Sequence, residues 1–269
     1  LGNESLINKT LLITIEQGFG DYIQFIRYAI LVEKLGAKVV LEAPLALIKL
    51  ASTLKGNFIL IESGKSLPDF DYHCPVMSLP LAFKTKLETI PAALPYLYVD
   101  KTKKQQWNKR LGKHVMTRIG LVWTGNPDHK NDQTRSLLLK QLLTILTLPL
   151  EFHSLQKDIR ADDAQTINDL PKIYQHQDEL KDFTDTAALI DAMDIVISVD
   201  TSVAHLAGAM GKEIWILLPY FPDFRWMLDR DDSPWYPSAK LYRQEKINGW
   251  DTVIEKLKTD LLENINIAS

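Results

Sequence analysis

The sequence predicts an α/β fold built as two doubly wound parallel-sheet lobes that face each other across a cleft. Three observations carry that expectation. Short apolar strands alternate with helix-length amphipathic stretches over residues 10–75, as βα units of a parallel sheet do. The rhythm breaks over residues 75–100, where Pro75, Pro80, Pro91 and Pro95 fall among short apolar patches. It resumes at Arg118 and runs to Leu218. The division expected is a first lobe over 1–112, a second over 113–250, and a helix over 251–269 that packs back on the first lobe. The 269 residues suffice for two domains at the usual ~100–200 residues each.

Thr10 to Glu16 reads as a strand, ended by the glycine-rich turn Gln17-Gly18-Phe19-Gly20-Asp21. An amphipathic helix follows, with Ile23, Ile26 and Ile30 on one stripe and Phe25, Ala29 and Val32 beside it. Gly36 stands where a C-terminal cap belongs. Lys38 to Glu42 is the next strand and Leu45 to Leu54 the next helix. Asn57 to Ile61 and Tyr72 to Pro75 are two further strands. The polar stretch Lys101 to Lys113, holding Trp107, is a connecting helix. In the second lobe the strands are Ile119 to Trp123, Glu151 to Leu155, Ile195 to Val199 and Glu213 to Leu218. Its helices are Leu137 to Leu146, Thr186 to Met193 and Thr201 to Met210, and Trp250 to about Ile265 closes the chain.

A hydrophobic content of 46% with 24% charged residues is that of a globular protein. The net charge of −3 gives no bulk attraction to nucleic acid or to an acidic membrane, and no nucleic-acid partner is expected. Cys74 is the single cysteine. It cannot make an internal disulfide and suits a reducing cytosol, so a cytoplasmic protein is expected. No apolar stretch reaches the ~18 residues that a bilayer span needs, and no signal peptide is evident. The chain opens Leu1-Gly2-Asn3 rather than with Met, which suggests a piece of something longer.

The most informative segment is Val196-Ile197-Ser198-Val199-Asp200-Thr201-Ser202-Val203-Ala204-His205. A buried strand ending in Asp-Thr-Ser with a helix opening at once leaves free N–H groups and the positive helix end facing outward, a geometry that attracts phosphate. Thr201, Ser202 and His205 share one side of that helix. Asp200, Thr201 and Ser202 are also ordinary N-cap residues, and capping alone would account for them.

Gly18 and Gly20 let a ligand approach the backbone closely. The third glycine of a dinucleotide loop is absent, because Ile23 occupies its place. Asp21 in the first helical turn would repel a pyrophosphate and suits a proton acceptor for a substrate hydroxyl; the alternative is a carboxylate that caps a tight turn. The strand ending at Trp123 leads into Thr124-Gly125-Asn126-Pro127 and a polar loop with Lys130 and Arg135. There Asn126 is a ligand candidate and Arg135 the candidate phosphate clamp. Gln156 and Lys157 end another strand and are candidates for the same ligand, Lys157 neutralising phosphate charge. The loop with Asp223, Arg225 and Trp226, continuing through Asp229 to Tyr236, mixes aromatic and charged residues. That mixture fits a sugar or a base in the cleft, or lobe-to-lobe packing. Asp231 and Asp232 have no matching His or Cys cluster, so no metal and no cofactor is expected.

Together these segments resemble the glycosyltransferase-B fold of two Rossmann-like lobes. In particular they look like the ADP-heptose lipopolysaccharide heptosyltransferase family and its relatives fused behind tetratricopeptide repeats. The pieces are Gly18-Phe19-Gly20-Asp21, Gly120-Leu121-Val122-Trp123 with Gly125-Asn126-Pro127, Asp200 to Ala207, and the loop from Asp223 to Tyr236. The resemblance implies a nucleotide-sugar donor, an inverting and metal-independent transfer to a hydroxyl of a glycan, lipid-linked sugar or protein, and an upstream repeat domain. It implies Asp21 as general base, Thr201, Ser202 and His205 beside the donor diphosphate, and Asp200 beside the donor sugar. The family usually has Gly after Asp-Thr, where this chain has Ser202; its side chain narrows the approach to the phosphates. The alternatives are a non-catalytic sugar-nucleotide-binding scaffold and a sugar-nucleotide epimerase.

Overall fold

The structure, a computed structural model, describes residues 2–170 and 173–268. The first lobe runs β1 (Thr10–Thr14), α1 (Phe19–Phe25), α2 (Tyr28–Lys34), β2 (Lys38–Ala43), α3 (Leu45–Ala51), β3 (Phe58–Glu62), β4 (Tyr72–Pro75) and the short α4 (Leu79–Ala82). Helix α5 (Lys101–Leu111) leads to the second lobe. That lobe begins with β5 (Arg118–Val122), two single-turn helices α6 (Asp132–Arg135) and α7 (Leu143–Leu146), β6 (Glu151–Ser154), α8 (Ala161–Asn168) and β7 (Ile173–Tyr174). It continues with α9 (Phe183–Asp191), β8 (Ile195–Val199), α10 (Ser202–Ala209), β9 (Glu213–Leu218), β10 (Ala239–Arg243) and α11 (Trp250–Ala268).

Both sheets are parallel throughout, in the orders β3-β2-β1-β4 and β10-β9-β8-β5-β6-β7. The order in which strands are added therefore reverses between β1 and β4 in one sheet and between β5 and β8 in the other. Ligands of doubly wound sheets bind beyond the carboxyl ends of strands at such switch points. Strands β5 and β8 are buried along their whole length, which is why they read as unbroken apolar runs rather than alternating ones.

Two apolar clusters hold the lobes. One is shared by both: Ile13, Tyr22 and Leu47 of the first lobe lie in it with Leu189, Ala204 and Leu206 of the second. The other lies on the far face of the second sheet and takes in Trp250, Val253, Ile254, Leu257 and Leu261 of α11. Among the described residues the terminal helix packs on its own lobe, where the sequence predicted a return to the first; its apolar stripe fills the face of the sheet that α9 and α10 leave bare.

Arg27 bridges the lobes. It is 3% exposed and donates to the carbonyls of Gln24 (2.8 Å), Pro91 (3.1 Å) and Trp235 (2.8 Å), and to the Tyr96 hydroxyl (2.9 Å). Its guanidinium also lies 4.3 Å from the Tyr96 ring centroid. A buried cation persists only where its donors are matched in this way.

Local departures from the sequence reading are few. The first helix breaks at Ile26–Arg27, where Arg27 turns into the interface. The predicted helix over 137–146 is a 3-10 turn at Leu139–Leu142 followed by α7. Strands β7 and β10 and helix α8 add to the elements expected.

Candidate active site

The loops after β1, β5 and β8 meet at the two switch points and enclose adjoining cavities of about 580 and 500 Å³. Phe19, Asn126, Thr201 and Ser202 line both. The first helical turns of α1 and α10 thus stand face to face on the wall between them. The contact is close: a Cβ on Gly20 would lie 2.7 Å from His205 Cδ2 and 3.6 Å from Ser202 Cα.

Helix α10 begins without a side-chain cap. The Thr201 hydroxyl is 3.0 Å from Ser198 Oγ instead of turning back to the helix. Because a helix start leaves its first amides without intrahelical acceptors, this end offers uncapped N–H groups where the two cavities join.

Asp21 faces the larger cavity from the first lobe. Its Oδ2 accepts from the Gly18 N–H at 3.0 Å, and Oδ1 accepts from Arg225 Nη2 at 2.6 Å. The capping role and a place in the cleft are therefore combined in one side chain. Each carboxylate oxygen has a second lone pair for a further donor.

Arg225 is 7% exposed. Besides Asp21 it donates from Nε to Asp223 Oδ1 at 2.7 Å and from Nη1 to Gln24 Oε1 at 2.9 Å. His205 Nε2 stands 3.4 Å from Nη1. His205 shares a 2.9 Å hydrogen bond with the Tyr236 hydroxyl through Nδ1, and Nε2 is 3.6 Å from Asp200 Oδ1. Burial, assisted by the charge of Arg225, pushes the His205 imidazole below its ordinary value despite Asp200 and Asp21. For Asp200, burial acts upward, but His205, Arg225 and Trp226 outweigh it and hold the carboxyl below the usual range.

Arg135 lines the larger cavity and donates from Nη1 to the Asp200 carbonyl at 2.8 Å. Its guanidinium lies against Gly125, where an added Cβ would sit 2.5 Å from Nη2. Asp132, 4% exposed, backs it at 3.6 Å and binds Arg160 at 2.6 Å. The Asn126 amide oxygen accepts from the Asp128 N–H at 3.1 Å, ordering the loop that rims both cavities.

Of the residues singled out from sequence, Gly18, Gly20, Asp21, Asn126, Arg135, Asp200, Thr201, Ser202, His205 and Arg225 all line the larger cavity. Lys157 borders the smaller one and donates to the Gln177 carbonyl at 2.8 Å. One expectation needs correction. Trp226 is fully buried and stacks on His205 from behind, 5.4 Å between ring centroids, so it supports the cleft instead of lining it. Gln156 borders the smaller cavity, but its amide is spent on structure. Oε1 takes the N–H groups of Trp123 and Thr124, and Nε2 donates to Thr124 Oγ1 and the Asp158 carbonyl. Gln24 was not legible as a site residue, because its partner Arg225 lies 201 residues away in sequence.

Among the described residues no three His, Cys, Asp or Glu side chains gather as a metal-binding group. No described helix is long and apolar enough to cross a membrane.

No protein-family model matches the chain. Its sequence is 26% identical to protein FlbA of Caulobacter vibrioides over 96% of this chain, which spans about half (47%) of that protein. A family 9 glycosyl transferase from Veillonella parvula superposes with a TM-score of 0.67 at 10% identity, covering 99% of both chains. The E. coli heptosyltransferase WaaC with ADP gives 0.59 at 12% identity, covering 95% of this chain and 99% of that one. The E. coli ADP-heptose lipopolysaccharide heptosyltransferase II gives 0.57, at the same identity and coverage. At such identities the likeness is one of architecture, and the chain carries the two-lobed glycosyltransferase-B fold.

Proposed function

We propose that this chain transfers a sugar from a nucleoside-diphosphate donor to a hydroxyl acceptor, with inversion and without a metal ion. The observation that carries the reading is the uncapped start of α10, placed between two cavities and opposite a carboxylate from the other lobe. The donor diphosphate lies against the first amides of α10, where the helix dipole favours an anion by about 0.3–1 kcal/mol, and Arg135 adds charge. The nucleoside occupies the smaller cavity, beside Leu155 and Lys157. The sugar lies in the larger one beside Asp200. Asp21 takes the acceptor proton as the acceptor oxygen bonds to the anomeric carbon. The bond from that carbon to the phosphate oxygen breaks, and the nucleoside diphosphate leaves with the bonding pair. The fold neighbour with ADP supports the donor class.

A second reading is favoured by the occupied state of Asp21. Both of its oxygens already hold a donor, which suits a module that binds a sugar nucleotide and does not turn it over. Thermal-shift and ligand-observed NMR screening against UDP-, ADP- and GDP-sugars tests both. A binder whose sugar is transferred to a hydroxyl, with the rate unchanged by EDTA, supports transfer. A binder never turned over supports the second reading. No binder among the three classes overturns both.

A further inference from the structure

Resting on the transfer reading, we propose that Arg225 is the positioning residue for Asp21, with Asp223 as its standing counter-ion. The guanidinium is shared between the lobes: it comes from the second, and Asp21 and Gln24 come from the first, 204 and 201 residues away in sequence. Three of its contacts fix its plane. Nε is on Asp223, Nη1 on Gln24 and Nη2 on Asp21. The Gly18 N–H holds the other carboxylate oxygen. Asp21 therefore cannot rotate, and its remaining lone pairs keep one direction relative to α10.

The chemistry gives Asp223 its role. When the acceptor O–H bond breaks, its proton goes to Asp21 and the carboxylate becomes neutral. With Asp21 as its one hydrogen-bonded carboxylate, Arg225 would then be a nearly buried cation without a paired charge, which is costly. Asp223, 2.7 Å from Nε, gives Arg225 a carboxylate partner that does not depend on Asp21. Asp223 is also more open to solvent, with 38% of its side chain exposed against 14% for Asp21.

The test uses whichever of ADP-, UDP- and GDP-sugar the screen retains, with release of nucleoside diphosphate as readout. Arg225→Gln lowers turnover by about 10- to 100-fold, the usual consequence of displacing a reacting group by about 1 Å. It leaves the donor dissociation constant within about twofold. Arg225→Lys recovers part of the rate. In an Asp21→Asn background, Arg225→Gln costs nothing further, because the two act as a unit. Circular dichroism checks that each variant is folded. A donor affinity weakened tenfold or more would make Arg225 a phosphate ligand and overturn the inference, as would additive losses in the double variant. A wild-type protein that binds no sugar nucleotide brings down the transfer reading itself, which separates the two failures.

Discussion

Gly20 and His205 touch across the lobe boundary so closely that the missing Cβ of the glycine would stand 2.7 Å from the imidazole Cδ2. The imidazole cannot retreat, because Trp226 stacks behind it and Tyr236 holds Nδ1. Gly20→Ala is therefore expected to force the starts of α1 and α10 apart, at about 1–3 kcal/mol, the range for overpacking a filled interior. Urea unfolding of the variant against wild type measures it. An unchanged midpoint would mean that the lobes yield at no cost.

Asp21→Asn keeps the shape and removes the proton acceptor. Turnover should fall by about 10²–10⁴-fold, the usual worth of a general base, with donor binding retained. Steady-state kinetics and calorimetry on the same preparation separate the two. Intact turnover would remove Asp21 from the reaction.

Away from the cleft, His153 and His176 stack 5.3 Å apart between ring centroids and share a hydrogen bond of 3.0 Å. Glu151 and Arg118 face His153, Tyr174 stacks on it, and Glu179, Arg110 and Trp107 surround His176. Burial pushes both imidazoles down, His176 to about 4 with the help of its neighbour's charge. The unfolded chain, with ordinary histidines near pH 6.5, then binds more protons than the folded one at mildly acid pH. This part of the stability is complete above about pH 6.5 and is lost progressively as the pH falls towards 4. Denaturant titrations at pH 7, 5.5 and 4.5 should show the loss, and His176→Gln should flatten it.

Arg27→Met leaves the Trp235 and Pro91 carbonyls and the Tyr96 hydroxyl without their common donor. Buried acceptors stranded in this way cost about 1–3 kcal/mol. A lower melting temperature, read by calorimetry, is the expected result; an unchanged one would show that water replaces the guanidinium.

Much of this architecture is legible in the sequence because both sheets are parallel and covered on two sides. Strands such as Ile195–Val199 then appear as plain apolar runs between helix signals. Strand β10 escaped because Lys240 and Arg243 break up its short apolar run at the end of a long aromatic loop. Strand β7 is two residues long, and α8 buries only Asp163 and Ile167. Glycine turns and strand ends pointed to the correct loops, since local chain geometry makes those signals. Long-range partners are another matter. Nothing in Gln156 foretells that its amide would be consumed by Trp123 and Thr124. No spacing rule connects Arg225 to Asp21.

The apolar cluster common to both lobes sets how a substrate gets in. Swinging the halves apart would wet Leu189, Ala204 and Leu206 together with the first-lobe residues beside them, a cost of about 25 cal/mol for each Å² uncovered. Entry is cheaper through the rims, where Phe221 and Phe224 stand largely in solvent.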